Sequence, residues 1–206
     1  MPELPMEKQN LLQKCVEFHG HLCPGLAFGF QAAMAAMDFF SEARAVDEEI
    51  VAIVETNACG TDAIQVITGC TFGKGNFIFK DYGKNAFTFV SRNSGKGVRI
   101  ARKYDPEPLL TPRHQELMQR IRQDKADQAD HDEFWGLHRE KSMRILEQEP
   151  EGLFSIAETT LTMPPKAKIE PSHQCDRCKE PTMASRLTQA DGRFFCQGCM
   201  PDIDFQ

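Results

Sequence analysis

The residues with the clearest chemical potential near the start of the chain are two histidines and a cysteine at alternating positions. His19, His21 and Cys23 lie between an amphipathic segment and a proline. In an extended or looped backbone, side chains two positions apart point in the same direction, so we expect these three to converge. Imidazole nitrogen and thiolate sulfur bind zinc, iron, nickel and copper alike. The spacing predicts either a transition-metal site, with the metal unassigned, or a buried polar turn that contains a structural cysteine.

A second candidate is Cys59, which follows the apolar, β-branched run Ile50–Val54. The run is typical of a strand covered on both faces, and we expect Thr61 or Asp62 to cap a short helix directly after Cys59. Amide donors and the helix dipole at a helix N-terminus stabilise a thiolate. Cys59 is therefore a candidate for a reactive cysteine if it is exposed.

The end of the chain carries two further cysteine pairs. The pairs have the spacing C-x-x-C, are separated by 17 residues, and comprise Cys175, Cys178, Cys196 and Cys199. This spacing predicts a four-thiolate structural zinc site, with a redox dithiol as the alternative. So short a segment buries little apolar area, so zinc should supply most of its folding energy. We expect Asp191-Gly192 to form a hairpin turn, and His173 is a spare donor.

The elements that must position these residues follow from periodicity. We expect helices over 6–18 and 26–40, a hairpin of strands 77–82 and 86–90 followed by strand 98–103, two charged helices within 111–148, and a last strand over 153–162. The charged segment should break near Ala129-Asp130, with Asp130 as the cap. This pattern predicts an α+β fold with an antiparallel or mixed sheet and packed helices. Small residues keep helix 26–40 thin, which suits close packing in the core or across a dimer interface.

Composition and length define the organisation and the class of protein. The chain has 206 residues, and the proline-rich segment 163–171 separates an expected core domain, 1–162, from a zinc module, 172–206, of treble-clef or zinc-ribbon type. The net charge of -6 argues against a nucleic-acid-binding role. The sequence lacks a membrane-spanning run and a signal-peptide pattern, so we expect a cytoplasmic protein whose eight cysteines stay reduced.

Two other features have less specific interpretations. The glycine-rich loop 69–76 contains Cys70 and Lys74 but lacks the spacing and context of a phosphate loop, so we interpret it as a turn. His131 and His138 are seven positions apart among charged neighbours, which favours a solvated helix surface over a ligand pair.

Three motifs together resemble the FmdE family, which is named for the FmdE component of molybdenum formylmethanofuran dehydrogenase. The motifs are Phe18–Leu26, Cys59–Gln65 and Thr68–Asn76. The resemblance implies an α+β core that forms intertwined homodimers, with a C-terminal zinc finger in a subset of relatives. It also implies association with one-carbon metabolism, in which the parent complex interconverts carbon dioxide and a formyl group.

Carried over to this chain, the resemblance implies a core site that holds a second transition metal and is formed by His19, His21, Cys23 and Cys59. The candidate catalytic residues are Cys59, His21 and Cys23. Whether Asp62, Cys70 and Lys74 belong to the core site is open. One expected function is an accessory or catalytic component of a molybdenum or tungsten formylmethanofuran dehydrogenase-type system. The alternative is a metal-sensing or regulatory adaptor whose zinc finger contacts protein rather than nucleic acid. Whether the chain is an enzyme is open.

Overall fold

The computed structural model describes residues 5–105 and 110–200 of the chain. Contacts divide the chain into two units between Lys166 and Ala167. The outermost residues of the two expected domains, 1–4 and 201–206, lie outside the described residues. The sequence-based bounds of the core domain, linker and zinc module stay predictions.

The first unit contains six helices and five strands among its described residues. In chain order they are α1 Met6–His19, α2 Pro24–Phe40, β1 Ile50–Val54, α3 Gly60–Thr68, β2 Phe77–Phe79, β3 Ala86–Ser91, β4 Gly97–Arg102, α4 Pro112–Arg122, α5 Gln128–Leu146, α6 Pro150–Leu153 and β5 Phe154–Glu158. The strands form one mixed sheet packed against helices, which confirms the α+β class. None of the helices in the described ranges is both long and apolar enough to cross a membrane.

The central helix α2 is buried along most of its length. Pro24 occupies its first turn, where the missing N–H costs nothing, and the Cys23 thiol accepts a hydrogen bond from the Leu26 N–H at 3.4 Å. Small residues let α3 approach closely: a Cβ added to Gly29 would lie 2.1 Å from the Gly60 carbonyl oxygen. The thin face of α2 therefore packs against α3 within the core.

The sheet has the strand order β2-β1-β3-β4-β5. Every residue of β1 is buried, as expected, and β1 pairs in parallel with β2 and antiparallel with β3. The predicted hairpin between β2 and β3 is therefore wrong. The fully apolar β1 lies between β2 and β3. Segment 80–85 crosses the end of β1, where the Lys84 N–H donates to the Glu55 carbonyl. The last strand ends at Glu158, four residues before the predicted end.

Helices α4 and α5 form a charged pair joined by a short loop. The predicted break near Ala129 is displaced, because α5 begins at Gln128 and Asp127 is its N-cap. Asp130 is not the cap: it occupies the third helical position, and its carboxylate accepts from the Asp127 N–H in a reciprocal capping box. Asp130 also pairs with Arg120 of α4 at 2.8 Å, which ties the two helices together.

The second unit contains two hairpins. Its strands are β6 Ser172–Gln174, β7 Pro181–Met183, β8 Leu187–Ala190 and β9 Arg193–Cys196. Asp191 and Gly192 join β8 to β9, both with positive φ, as the tight turn predicted from this dipeptide requires.

Candidate metal centre

Three helix ends meet at the first candidate site. His19 ends α1, Cys23 is the N-cap of α2 and Cys59 is the N-cap of α3. Ligand atoms of His19, His21 and Cys23 all lie within 4.8 Å of one another. The backbone is only partly the extended or looped segment we expected, because His19 still belongs to α1; the chain leaves the helix at Gly20, where φ is 97°. Glycine adopts this left-handed conformation without strain.

Asp62 fixes the orientation of His19. His19 Nδ1 lies 2.6 Å from Asp62 Oδ2. A proton on Nδ1 donated to this carboxylate leaves Nε2 free, and Nε2 faces Cys23 Sγ at 3.8 Å. A carboxylate commonly supports a metal-binding histidine in this way. The separation is close to the roughly 3.6 Å expected between nitrogen and sulfur ligands of tetrahedral zinc.

The predicted cap of α3 is wrong. The first helical residue is Gly60, so Thr61 and Asp62 both lie inside the first turn. The Thr61 hydroxyl donates to the Ala58 carbonyl at 2.9 Å, while Asp62 points to the histidine. Sequence alone placed Asp62 near the helix start but gave no sign of its partner, 43 residues away.

Cys59 lies beside Cys23 because glycines leave room for it. A Cβ added to Gly25 would lie 3.7 Å from Cys59 Sγ and 3.9 Å from Cys23 Sγ, so both sulfurs border the same point. The contact between Gly29 and Gly60 holds α2 and α3 at this distance. The fold therefore brings Cys59 next to the three-donor cluster, as a neighbour of its sulfur.

The electrostatics of the site differ between its donors. Burial raises the pKa of Cys23 to about 11, against the lowering effect of the Leu26 N–H, and the nearby Cys59 raises it further. Burial, and then the charge of His19, lower the pKa of His21. At neutral pH the metal-free site therefore favours a neutral His21 imidazole, ready to ligate, and a Cys23 thiol that must lose its proton when a metal binds.

A cluster of aromatic and histidine side chains from α4 and α5 lies beside His21. The Trp135 ring packs edge-on to His21 with 5.1 Å between centroids, and His138 packs against Trp135 at 5.5 Å. His138 also hydrogen-bonds to His114, which is only 2% exposed. Burial lowers the pKa of His138 to about 4, with smaller contributions from His114 and His21. The expectation of a solvated His138 is therefore wrong.

Sequence reasoning missed Trp135 and His114 altogether. The usable signal was that Phe134, His138 and Ser142 follow one another at intervals of four residues. This interval marks one buried face of α5 among exposed charged residues. His131, the other histidine of the predicted pair, is partly exposed.

Cys70 and Lys74 lie beyond the opposite end of α3 and are not brought to the site. The Cys70 thiol is fully buried and donates to the Ile50 carbonyl at 3.2 Å, and burial raises its pKa to about 11. Lys74 Nζ donates to the carbonyls of Ala45, Val46 and Asp47 at 3.1 to 3.5 Å. Both residues hold the loop before β1 in place.

The four C-terminal cysteines form a second cluster, with all four sulfurs within 4.8 Å of one another. Cys178 Sγ and Cys196 Sγ are 3.9 Å apart, close to the roughly 3.8 Å expected around tetrahedral zinc. The Cys196 N–H donates to Cys175 Sγ at 3.3 Å, and such donors lower the pKa of Cys175 to about 6. These cysteines fit zinc; His173 is exposed and is not part of the cluster.

Comparisons with known proteins identify a curated relative of this chain. A protein of Archaeoglobus fulgidus named "Probable S-adenosyl-L-methionine-binding protein" is 37% identical over 188 residues, which is 86% of this chain and 50% of that protein. The chain thus spans about half the length of this curated relative.

A solved structure shows the same fold. It is the crystal structure of a tungsten formylmethanofuran dehydrogenase FmdE-like protein from Syntrophus aciditrophicus, which matches with a TM-score of 0.63 at 24% identity and covers 96% of each chain. The family model described as "FmdE, Molybdenum formylmethanofuran dehydrogenase operon" matches residues 18–155, which include all the core donors. This chain belongs to the FmdE family.

Proposed function

We propose that the chain is a metal-binding accessory protein of a molybdenum or tungsten formylmethanofuran dehydrogenase-type system. In this proposal His19, His21 and Cys23 bind a transition metal in the core, and the four C-terminal cysteines bind zinc. The family description supports the association with such an enzyme system. A homodimer and a cytoplasmic location are further parts of the proposal.

The observation that carries the proposal is the clustering of three donors around a histidine held by a carboxylate. A surface turn would not need Asp62 at 2.6 Å behind His19, whereas a metal ligand gains orientation and basicity from it. Two nitrogens and one sulfur suit zinc and the later first-row metals. A three-ligand set also leaves a coordination position for water, substrate or a fourth protein ligand.

Cys59 has two candidate roles at that open position. It can complete the coordination as a second thiolate, or it can remain a free thiol beside the metal and act as a nucleophile or redox group.

Elemental analysis of the anaerobically purified full-length chain tests the metal site. We expect two bound metals per chain, and we expect Cys23→Ala and His19→Ala to remove one while keeping zinc. Cys70→Ala is the matched control, because it removes a buried thiol outside the site. Unchanged metal content in both site variants, with the fold intact by circular dichroism, would contradict the proposal.

Further binding measurements test the role of the site. With metal-loaded protein, Cys59→Ala should keep the core metal if Cys59 is a free thiol and weaken its binding if Cys59 is a ligand. Affinity purification from a native source should recover molybdenum or tungsten enzyme subunits. Light scattering of the purified chain tests the homodimer.

The separate C-terminal unit favours a second candidate, a metal-sensing or regulatory adaptor. An adaptor would bind its partner through the zinc unit and would show core metal affinity weak enough to follow metal availability. Cys178→Ala would then abolish partner binding while leaving the core metal in place. A tight core metal, with partner binding independent of the zinc unit, would exclude the adaptor.

A further inference from the structure

A cavity of about 590 Å³ lies at the end of the sheet where β4 ends and β3 begins. Its cationic and aromatic lining comes from Lys84, Arg99, Arg102, Lys103 and Tyr104. The volume is within the range of small-molecule sites. The family motifs and the proposed metal centre use none of these five residues.

The cavity has an excess of positive charge in a chain whose net charge is -6. Arg99 is already neutralised, because its guanidinium donates to both carboxylate oxygens of Glu55 at 2.9 to 3.1 Å. Lys103 Nζ donates to the Glu151 carbonyl at 2.6 Å. Among the described residues, no carboxylate forms a salt bridge with Lys84 or Arg102, and the carboxylate in the lining is Asp105. A concave site with several cations that lack such a partner attracts anions.

The cavity lining also includes two alanines and an exposed aromatic side chain. Ala86 and Ala101 are cross-strand partners, and their small side chains leave the floor open. Tyr104 is 92% exposed at the rim. Arg102 stacks on the Phe28 ring at 4.3 Å, which holds the guanidinium in place. An exposed aromatic side chain next to fixed cations is the combination that binds a base and its phosphate.

We propose that this cavity binds a nucleotide, with the phosphate at Lys84 and Arg102 and the base on Tyr104. Phe28, which supports Arg102, is five residues after Cys23, the N-cap of α2, so about 7.5 Å of helix rise separates their backbone positions. The nucleotide site thus has residues of its own, separate from those of the metal centre.

Equilibrium binding of AMP, ADP and pyrophosphate to the full-length chain tests the proposal. Lys84→Met and Arg102→Gln should each weaken nucleotide binding about ten- to a hundred-fold, the effect of losing a charge-assisted hydrogen bond. Lys96→Met is the control, since Lys96 is an exposed lysine outside the cavity. Tyr104→Leu should weaken AMP and ADP binding but leave pyrophosphate binding unchanged. Melting temperatures identify variants that merely unfold.

Three results would overturn the proposal. The first is no binding of any of the three ligands at millimolar concentration. The second is binding that Lys84→Met and Lys96→Met change equally, or that Tyr104→Leu leaves unchanged for AMP. The third is loss of binding in Cys59→Ala, which would locate the ligand at the metal centre. Metal content of the same samples is a separate readout, so failure here leaves the metal proposal standing.

Discussion

Replacing Gly29 by alanine should both destabilise the core and weaken metal binding. A Cβ at this position would lie 2.1 Å from the Gly60 carbonyl oxygen and 2.4 Å from Gly60 Cα. These are backbone atoms of α3, so no side-chain rotation relieves the clash. Helices α2 and α3 must move apart by about 1.3 Å to reach an ordinary contact of about 3.4 Å. Cys59, the residue before Gly60, should move with α3.

The expected magnitudes follow from packing and from metal geometry. Overpacking of this kind costs about 3 kcal/mol, and the better helix propensity of alanine recovers about 1 kcal/mol. The free energy of unfolding of metal-free protein should therefore fall by about 2 kcal/mol, which lowers the melting temperature by about 4 to 8 °C in a chain of this size. Metal sites tolerate about 0.2 Å in ligand distance, so a larger displacement of Cys59 should weaken metal binding at least about ten-fold if Cys59 is a ligand.

Chemical denaturation and competition with a chelator measure the two effects. Gly136→Ala is the matched control, because a Cβ at Gly136 in α5 would meet nothing within 4 Å. That variant should be about 0.5 to 1 kcal/mol more stable than the parent and should bind metal equally well. If Gly29→Ala behaves like Gly136→Ala, the close approach of α2 and α3 is refuted. If it unfolds more easily but binds metal normally, Cys59 does not ligate.

Three further predictions concern the donors and their surroundings. Asp62→Asn should weaken core metal affinity about ten- to a hundred-fold, measured by chelator competition, whereas Asp38→Asn on the exposed side of α2 should not. Removal of zinc should unfold residues 172–206 while the core stays protected, as hydrogen exchange would show; a tail that stays protected would contradict this. Burial lowers the pKa of His138 to about 4, so the metal-free protein should be fully stable above about pH 6.5 and lose stability as pH falls from there to about 4. Urea titrations should show a smaller loss of stability with falling pH in His138→Gln. If the pH profile of this variant equals that of the parent, His138 is not a partly buried neutral imidazole.

The sequence predicted the elements whose signals are local. The periodicity of α2, the apolar run of β1 and the turn at Asp191 are each decided within a few residues of chain, and each was predicted correctly. The strand pairing was not predicted correctly. The position of β1 between β2 and β3 depends on which strand is buried on both faces.

The same distinction applies to the candidate site. Donor types and spacing identified His19, His21 and Cys23 without reference to the fold. The partners of these donors come from distant parts of the chain, and their roles depend on helix packing that no local pattern encodes. His114 and Trp135 are the clearest cases, since each is a single residue in a charged segment and only the packing of α4 and α5 brings them to His21 or His138.

The two cysteines of the core site differ in what they can do without metal. Cys23 is buried and accepts a backbone hydrogen bond, yet burial dominates and its pKa is raised to about 11. A thiol of that kind is almost entirely protonated at neutral pH and is a poor nucleophile. A bound divalent cation reverses the balance, because it replaces the proton and stabilises the thiolate directly. This argues for Cys23 as a metal ligand rather than a catalytic nucleophile, and it leaves Cys59, which is more exposed than Cys23, as the better candidate for reactive chemistry beside a bound metal.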